Sequence, residues 1–330
     1  MSVETKDSAL KGSGGRRAVS LLARYGTLAG LAVMIVGFSI ASPDAFPTFS
    51  NLVNIVNQVA LTAIIASGLT VVLIVDELDL SVGFGASLAG VLVTGLMVRQ
   101  DLPVLVAIVA VVLVGGLVGV VNSLIVTKAR VNSVVATLGV GTILIGFNYA
   151  YSAGQPIAAG LPDSFFLISL GTVLGIPNNI LIMAAVLAVL WVLVNRTDAG
   201  QRMQAVGGNA EASRLSGIRV DRVKISAFVV SGMCAFLTGI LLASLIGSGS
   251  TDAGDSYLLD AFAAVFLGSA TLRDGEFHIL GTLVGVLIIG VAFNGLSIFG
   301  APTFYQYIFQ GGILVFAVAL STIARRYAQA

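Results

Sequence analysis

The sequence has few charges, one cysteine and one histidine, and these shortages exclude several classes of protein. Charged residues make up 10% of the 330 residues, against roughly 25% in a typical soluble domain. Cys234 alone can form neither an intramolecular disulfide nor a cysteine-based metal cluster. The single histidine, His278, excludes a histidine-rich metal site. The net charge of +1, without a basic stripe that carries aromatic residues, argues against nucleic acid as a partner.

Catalytic motifs are also missing. No Gly-x-x-x-x-Gly-Lys-Ser/Thr phosphate loop occurs in the sequence, and no pairing of a nucleophile with a base is visible. We therefore predict that the chain is not an enzyme, that it hydrolyses no ATP itself, and that it carries no cofactor or metal of its own.

The sequence is instead rich in long apolar runs. Hydrophobic residues make up 57% of it, and the mean hydropathy is +1.02. Most of the runs reach the length of about 17–25 residues that crosses a bilayer. We predict an all-α polytopic membrane protein with about ten transmembrane helices, some of them interrupted. The ten segments are 25–42, 57–75, 82–98, 103–126, 132–150, 178–195, 225–246, 258–272, 278–298 and 304–323. The first is longer than the usual core of a signal peptide, so we interpret it as a span.

The basic residues predict the orientation, because cytoplasmic loops carry the excess of Lys and Arg. With the N-terminus inside, every one of the 17 basic residues except Arg99 falls on the cytoplasmic side. Both termini are then cytoplasmic. The Gly/Ser-rich, charged residues 1–24 are predicted to be a disordered cytoplasmic tail, residues 25–323 a single transmembrane domain, and residues 324–330 a second short tail.

Two polar breaks interrupt the apolar pattern. Residues 76–81 separate two apolar runs, and Asp79 or Ser81 could accept hydrogen bonds from the free amides of the helix that follows. In the second half, Asp260 stands directly before a short apolar run, and polar residues follow that run at 273–278. Both acids could be structural caps. As intramembrane acids, they could alternatively form a proton or cation site.

Small and amide residues inside the spans allow further predictions. Small-xxx-small pairs at Gly26/Gly30, Gly115/Gly119 and Gly281/Gly285 favour close packing within the chain, with a dimerisation face as the alternative. Amide side chains could line a path for a hydroxyl-rich solute or bond a neighbouring helix. The candidates for the path are Asn57, Gln58, Asn122, Asn148, Asn294 and Gln306, with Asn54 and Gln310 as further candidates.

A polar island at 196–224 holds six of the 17 basic residues. Within it, Asn209 is a suitable N-cap, residues 210–216 can form two helical turns, and Gly217 can end them. Glu211 lies in the first turn, where a carboxylate is favourable, and Arg214 lies nearer the end. So short a helix needs support from its surroundings, and the alternative is a solvated loop with a transient turn.

Four stretches together resemble the permease family of ribose-type sugar ABC importers. They are GLTVVLIVDELDLSVGFGASLAG (68–90), NSLIVTKARVNSVVATLG (122–139), TDAGQRMQAVGGNAEASRLSGIRVDRVKISAFVVSGMCAFLTGIL (197–241), and LDAFAAVFLGSATL with GTLVGVLIIGVAFNGL within 259–296. The likeness runs in the family's order from about residue 50 to 320. The sequence departs from the family at 76–78, where two glycines and an isoleucine are usual, and near 268–280, where more glycines are usual.

The resemblance implies roles for particular residues. It implies that the loop at 196–224 is a cytoplasmic coupling loop that contacts an ATP-binding subunit, and that LDLSVG is the family's signature at an interrupted helix. The residues assigned to the contact are Gly208, Asn209, Glu211, Ala212, Arg214, Leu215, Ser216, Gly217 and Ile218. The residues assigned to the interrupted helices are Asp79, Leu80, Ser81, Gly83 and Asp260.

The function that the resemblance implies is import driven by ATP. The chain would be a permease subunit that moves a monosaccharide or related polyol across the bacterial inner membrane. Its expected partners are a separate ATP-binding subunit that holds ATP and Mg, an external sugar-binding protein, a second permease copy of the same or a different chain, and membrane lipid. The alternative is an ion-coupled secondary transporter that uses Asp79 and Asp260.

Overall fold

The computed structural model describes residues 26–269 and 275–315, and this part of the chain is almost entirely helical. In chain order the helices are α1 Gly26–Ala41, α2 Phe49–Ile74, α3 Val82–Gln100, α4 Val104–Thr127, α5 Ser133–Ser152, α6 Asp163–Leu170, α7 Asn178–Arg196, α8 Asp198–Gly208, α9 Ala210–Leu215, α10 Val220–Ile246, α11 Ser256–Ser269 and α12 Ile279–Ile298. A helix α13 occupies 304–315 at the end of the described region. Strands β1 Thr172–Val173 and β2 Ile176–Pro177 form a small antiparallel hairpin between α6 and α7.

Seven of the described helices are long and apolar enough to cross a membrane: α2, α3, α4, α5, α7, α10 and α12. Each coincides with a predicted span. The predicted spans at 25–42 and 258–272 are shorter apolar helices, α1 and α11. The tenth predicted span, 304–323, lies only partly within the described residues. The predicted tails 1–24 and 324–330 lie outside them. The structure therefore shows a predominantly helical protein with seven candidate spans among its described residues.

Helix α10 lies at the centre and packs against α2, α3 and α4. Its crossing with α4 depends on glycine: a Cβ at Gly119 would lie 2.3 Å from the carbonyl oxygen of Phe228, and one at Gly232 would lie 2.2 Å from that of Gly115. The pair Gly281/Gly285 similarly approaches the backbone of Gly268 and Ala264 on α11. Close packing within the chain is confirmed for these two predicted pairs, whereas Gly26 and Gly30 have nothing within 4 Å.

The outer face of α4 is apolar and unpacked. Leu105, Leu113 and Leu117 are each more than half exposed in the isolated chain. Large apolar side chains along one face of a 24-residue helix match a surface that faces lipid.

Candidate functional site

The polar island folds into two short helices that follow α7 without a flexible linker. Thr197 is the N-cap of α8: its Oγ1 accepts a hydrogen bond from the amide of Gly200 at 3.2 Å and donates one to Leu193 at 2.6 Å. Met203 and Val206 on α8 are buried against the helical core. Helix α8 is therefore docked on the membrane domain.

Helix α9 occupies the predicted position. The side chain of Asn209 accepts a hydrogen bond from the amide of Ala212 at 2.9 Å, and Gly217 adopts a φ of +85° just after the C-cap Ser216. The prediction of a capped short helix is confirmed, rather than the transient turn. Its supports are local, since Arg214 pairs with Glu211 at 2.9 Å.

One side of α9 is buried and the other is open. Ser213 is buried, whereas Leu215 is 83% exposed. Glu211, Ala212 and Arg214 are also exposed. An exposed leucine is unremarkable alone, but here it stands at the tip of a short helix that is fixed to the domain on its other side. The arrangement presents one apolar side chain between charged neighbours.

Two contacts tie the island to the end of α2. A Cβ at Gly207 would lie 1.8 Å from the carbonyl oxygen of Ile74, so α8 touches the last turn of α2 directly. Lys224, in the first turns of α10, forms an ion pair with Glu77, just beyond α2. The side chains of Lys224 and Glu77 are only 20% and 12% exposed. The island is therefore in direct contact with the end of α2 and with the residues just beyond it.

The break between α2 and α3, residues 75–81, is anchored by a buried carboxylate. Asp79 is 1% exposed. It accepts hydrogen bonds from the Ser81 hydroxyl at 2.6 Å, the Ser231 hydroxyl at 2.9 Å and, more weakly, the Asn122 amide at 3.4 Å. Asn122 also donates to the Ser81 hydroxyl at 2.8 Å. The carboxylate thus joins the break to α4 and α10.

Side-chain hydroxyls of helix α5 bind backbone amides of the same break. The amide of Leu78 donates to the Ser133 hydroxyl at 3.3 Å, and that of Leu80 donates to the Thr137 hydroxyl at 3.0 Å. Three helices therefore provide hydrogen-bond partners for polar groups of the interruption. Such groups need partners wherever water is scarce.

The capping role predicted for the two acids is wrong in detail. Ser81 is the N-cap of α3 but makes no side-chain cap bond, and the one backbone amide that donates to Asp79 is that of Ser81, which precedes the helix. Asp260 lies inside α11 rather than before it, and accepts a hydrogen bond from Gln310 on α13. Gly83 packs against the backbone of Gly254 and Asp255. Part of the second predicted break, 270–274, lies outside the described residues.

The residues proposed for a path do not form one cluster. Asn122 belongs to the Asp79 network, Asn148 donates to the carbonyl oxygen of Thr251 at 2.9 Å, and Asn294 exchanges two 3.0 Å hydrogen bonds with Asn51. These three amides bond neighbouring segments of the chain. Asn57 and Gln306 are partly buried, whereas Asn54 and Gln58 are exposed on α2.

Several residues that build the site were not predicted from the sequence. Ser231, Thr137 and Lys224 reach the break from distant positions, and the only sign in the sequence was that Lys224 is the last charge of the island. His278 is the N-cap of α12, where its Nδ1 accepts a hydrogen bond from the amide of Gly281 at 2.9 Å.

These features define a class of protein: a multi-pass membrane protein whose exposed loop helix is fixed to an interrupted membrane helix. Comparison with known proteins gives its family. The family described as branched-chain amino acid transport system / permease component matches residues 51–318. No solved structure matches the chain.

Curated relatives cover nearly the whole chain. The ribose import permease protein RbsC of Haemophilus influenzae is 39% identical over 291 residues, which is 87% of this chain and 90% of the relative. That of Bacillus subtilis is 38% identical over 91% of this chain and 93% of the relative. The D-allose transport system permease protein AlsC of Escherichia coli is 32% identical over 91% of this chain and 92% of the relative.

The chain therefore belongs to the permease-component family of ABC importers, and it is a multi-pass protein of the bacterial inner membrane. The predicted family is confirmed. Nothing in these comparisons supports the ion-coupled alternative for Asp79 and Asp260.

Proposed function

We propose that the chain forms the translocation path of an importer for a monosaccharide or related polyol, and that a separate ATPase subunit drives it through α9. The relatives named for ribose and D-allose support the substrate class. The observation that carries the coupling role is α9 itself, a capped helix with an exposed Leu215 and a docked opposite side. ATP and Mg would be held on the partner subunit.

The contacts of the island provide the mechanical route. Movement of α9 displaces α8, to which Asn209 joins it directly, and α8 presses on the carbonyl oxygen of Ile74 through Gly207. The ion pair between Lys224 and Glu77 makes a second connection to the same break. Because Asp79 bonds α4 and α10 at this point, a shift of the break changes how those helices meet α2 and α3. Packed helices with two discrete arrangements are suited to such switching.

The path itself is proposed to pass the exposed first turns of α2, because the rest of this helix, from Val59 to Ile74, is almost entirely buried. Asn54 and Gln58 are four residues apart, so they lie on one helical face, and both are exposed near the start of α2, a candidate membrane span. Amide groups are costly against hydrocarbon, so such a face calls for water or another protein surface. A second permease copy, with an aqueous path between the copies, meets that requirement. An external sugar-binding protein would deliver the solute.

The coupling role is tested with Leu215→Ser in the assembled importer. We expect transport and the ATPase activity stimulated by binding protein to fall together by tenfold or more, because the apolar contact is lost, about 1.5–3 kcal/mol for a buried leucine. Gln201→Ser, an exposed position on α8, is the matched control and should leave both activities within twofold. Leu215→Ser with unchanged stimulated ATPase activity and uptake would show that α9 is not the contact.

A further inference from the structure

A second feature of the island is a groove between the start of α8, the residues that follow α9 and the start of α10, and it carries three arginines. Arg202 lies on α8, Arg219 is the N-cap residue of α10, and Arg222 lies in the first turn of α10. Ser216 and Ser226 also line the groove. No carboxylate is among its lining residues.

The three guanidinium groups are exposed and uncompensated. Within the described part of the chain, none of them forms an ion pair or a side-chain hydrogen bond. The neighbouring groove differs, because Arg214 and Lys224 there pair with Glu211 and Glu77. The N-terminus of α10 adds its positive dipole end to the first groove. The groove is thus built for an anion.

The length of α10 places this groove at the membrane surface. Its 27 residues extend about 40 Å at ~1.5 Å per residue, which exceeds a hydrocarbon core of ~30 Å by about seven residues. All three charged residues of α10 lie in its first five positions, and its other end is apolar. The excess therefore falls on Val220–Ser226, which lies in the layer of lipid headgroups.

Ser226 and Arg222 lie four residues apart, on one exposed face of α10. The groove consequently runs from the island toward the hydrocarbon, rather than outward over α9. A lipid can place its phosphate among the arginines and its acyl chains along α10 from that direction. Arginine is suited to phosphate because its guanidinium can donate two parallel hydrogen bonds.

We propose that Arg202, Arg219 and Arg222 bind the phosphate of an anionic phospholipid headgroup in the leaflet on the island's side of the membrane. Ser216, Gly217 and Ile218 line the groove and are also assigned to the ATPase contact, so the groove borders that contact, whereas the three arginines are not among the residues assigned to it. Basic pockets between helices at this depth bind anionic lipid headgroups in general. An occupied site would fix the relative positions of α8 and α10 and so hold the island against the membrane.

The test measures lipid binding to the purified full-length chain by native mass spectrometry. Phosphatidylglycerol, phosphatidylcholine and inorganic phosphate are the three probes. Each arginine near an anionic membrane surface strengthens the attraction to anionic lipid. Changing all three arginines to glutamine should therefore weaken phosphatidylglycerol binding on the order of a hundredfold. The triple Arg→Lys variant should retain most of the binding. Phosphatidylcholine should bind weakly to every variant.

A matched triple variant controls for net charge. Arg130→Gln, Arg196→Gln and Arg214→Gln together remove the same charge from the same end of the molecule but outside the groove, and should leave phosphatidylglycerol binding within threefold. Equal thermal unfolding midpoints show that each variant is folded. The proposal is overturned if the groove variant still binds phosphatidylglycerol like the wild type. It is also overturned if inorganic phosphate binds as tightly as the lipid, or if the groove variant loses only its binding to the ATPase subunit.

Discussion

The contact between Gly207 and Ile74 provides the sharpest structural prediction. A Cβ at Gly207 would lie 1.8 Å from the Ile74 carbonyl oxygen, about 1.5 Å closer than an ordinary contact of this kind. The obstacle is backbone at the end of a buried helix, so either α8 or the end of α2 must move. Overpacking of a tight interface costs about 1–3 kcal/mol. We therefore expect Gly207→Ala to destabilise the protein and to displace the island.

The adjacent glycine is an internal control. Gly208 belongs to the same helix and has nothing within 4 Å of its Cβ position. Gly208→Ala should be neutral or slightly stabilising, because alanine favours helix more than glycine does. In a thermal unfolding assay in detergent, Gly207→Ala should lower the midpoint by roughly 2–6 °C. Equal midpoints for the two variants would refute the close approach and the transmission route built on it.

Two further predictions concern the break at 75–81. Asp79→Ala removes the acceptor shared by Ser81, Ser231 and Asn122, and should lower the free energy of unfolding by about 2–4 kcal/mol, measured as a lower midpoint of unfolding. Asp79→Asn keeps one acceptor oxygen and should lower it less. Equal losses of stability in the two variants would argue against the network. For the ion pair, a double-mutant cycle with Glu77→Gln and Lys224→Gln should give a coupling energy of about 1–2 kcal/mol, since both side chains are largely shielded from water. A coupling energy near zero would mean that the pair transmits nothing.

Local rules were sufficient to predict α9. Its N-cap, its acidic first turn and its terminating glycine are neighbours in the sequence, so their chemistry can be evaluated without the fold. The long apolar runs similarly predicted the seven spanning helices. Whether a helix can cross the hydrocarbon core is judged from the number of consecutive apolar residues, which can be read without the fold.

The contacts that hold the break at 75–81 could not be predicted in the same way. Its stabilising groups come from α4, α5 and α10, and Ser231 lies 152 residues from Asp79 along the chain. A capping rule considers only the next helix, so it assigned Asp79 to α3 and missed the partners that the fold provides. Asp260 was misplaced for a related reason, because an acid ahead of an apolar run resembles a cap, whereas α11 begins at Ser256. The hydrogen-bond partner of Asp260, Gln310, lies 50 residues further along the chain.

The charged residues at 76–77, which depart from the family pattern, acquire a meaning only in three dimensions. Asp76 takes a φ of +59°, a left-handed conformation that glycine adopts more readily. Glu77 pairs with Lys224. The departure thus introduces an ion pair with the island at a position where the family usually has uncharged residues. Lys224 could not be identified as the partner of Glu77 from its spacing in the sequence.

Disulfide crosslinking in the assembled importer tests the central claim most directly. The only native cysteine, Cys234, is buried, so a cysteine at Leu215 can be paired with cysteines on the ATPase subunit without removing it. A cysteine at Leu174, which is 98% exposed in the hairpin beyond α6, is the control. We predict a crosslink from position 215, none from position 174, and a yield at 215 that changes with ATP. Crosslinking from 174 instead, or none from 215, would contradict the account.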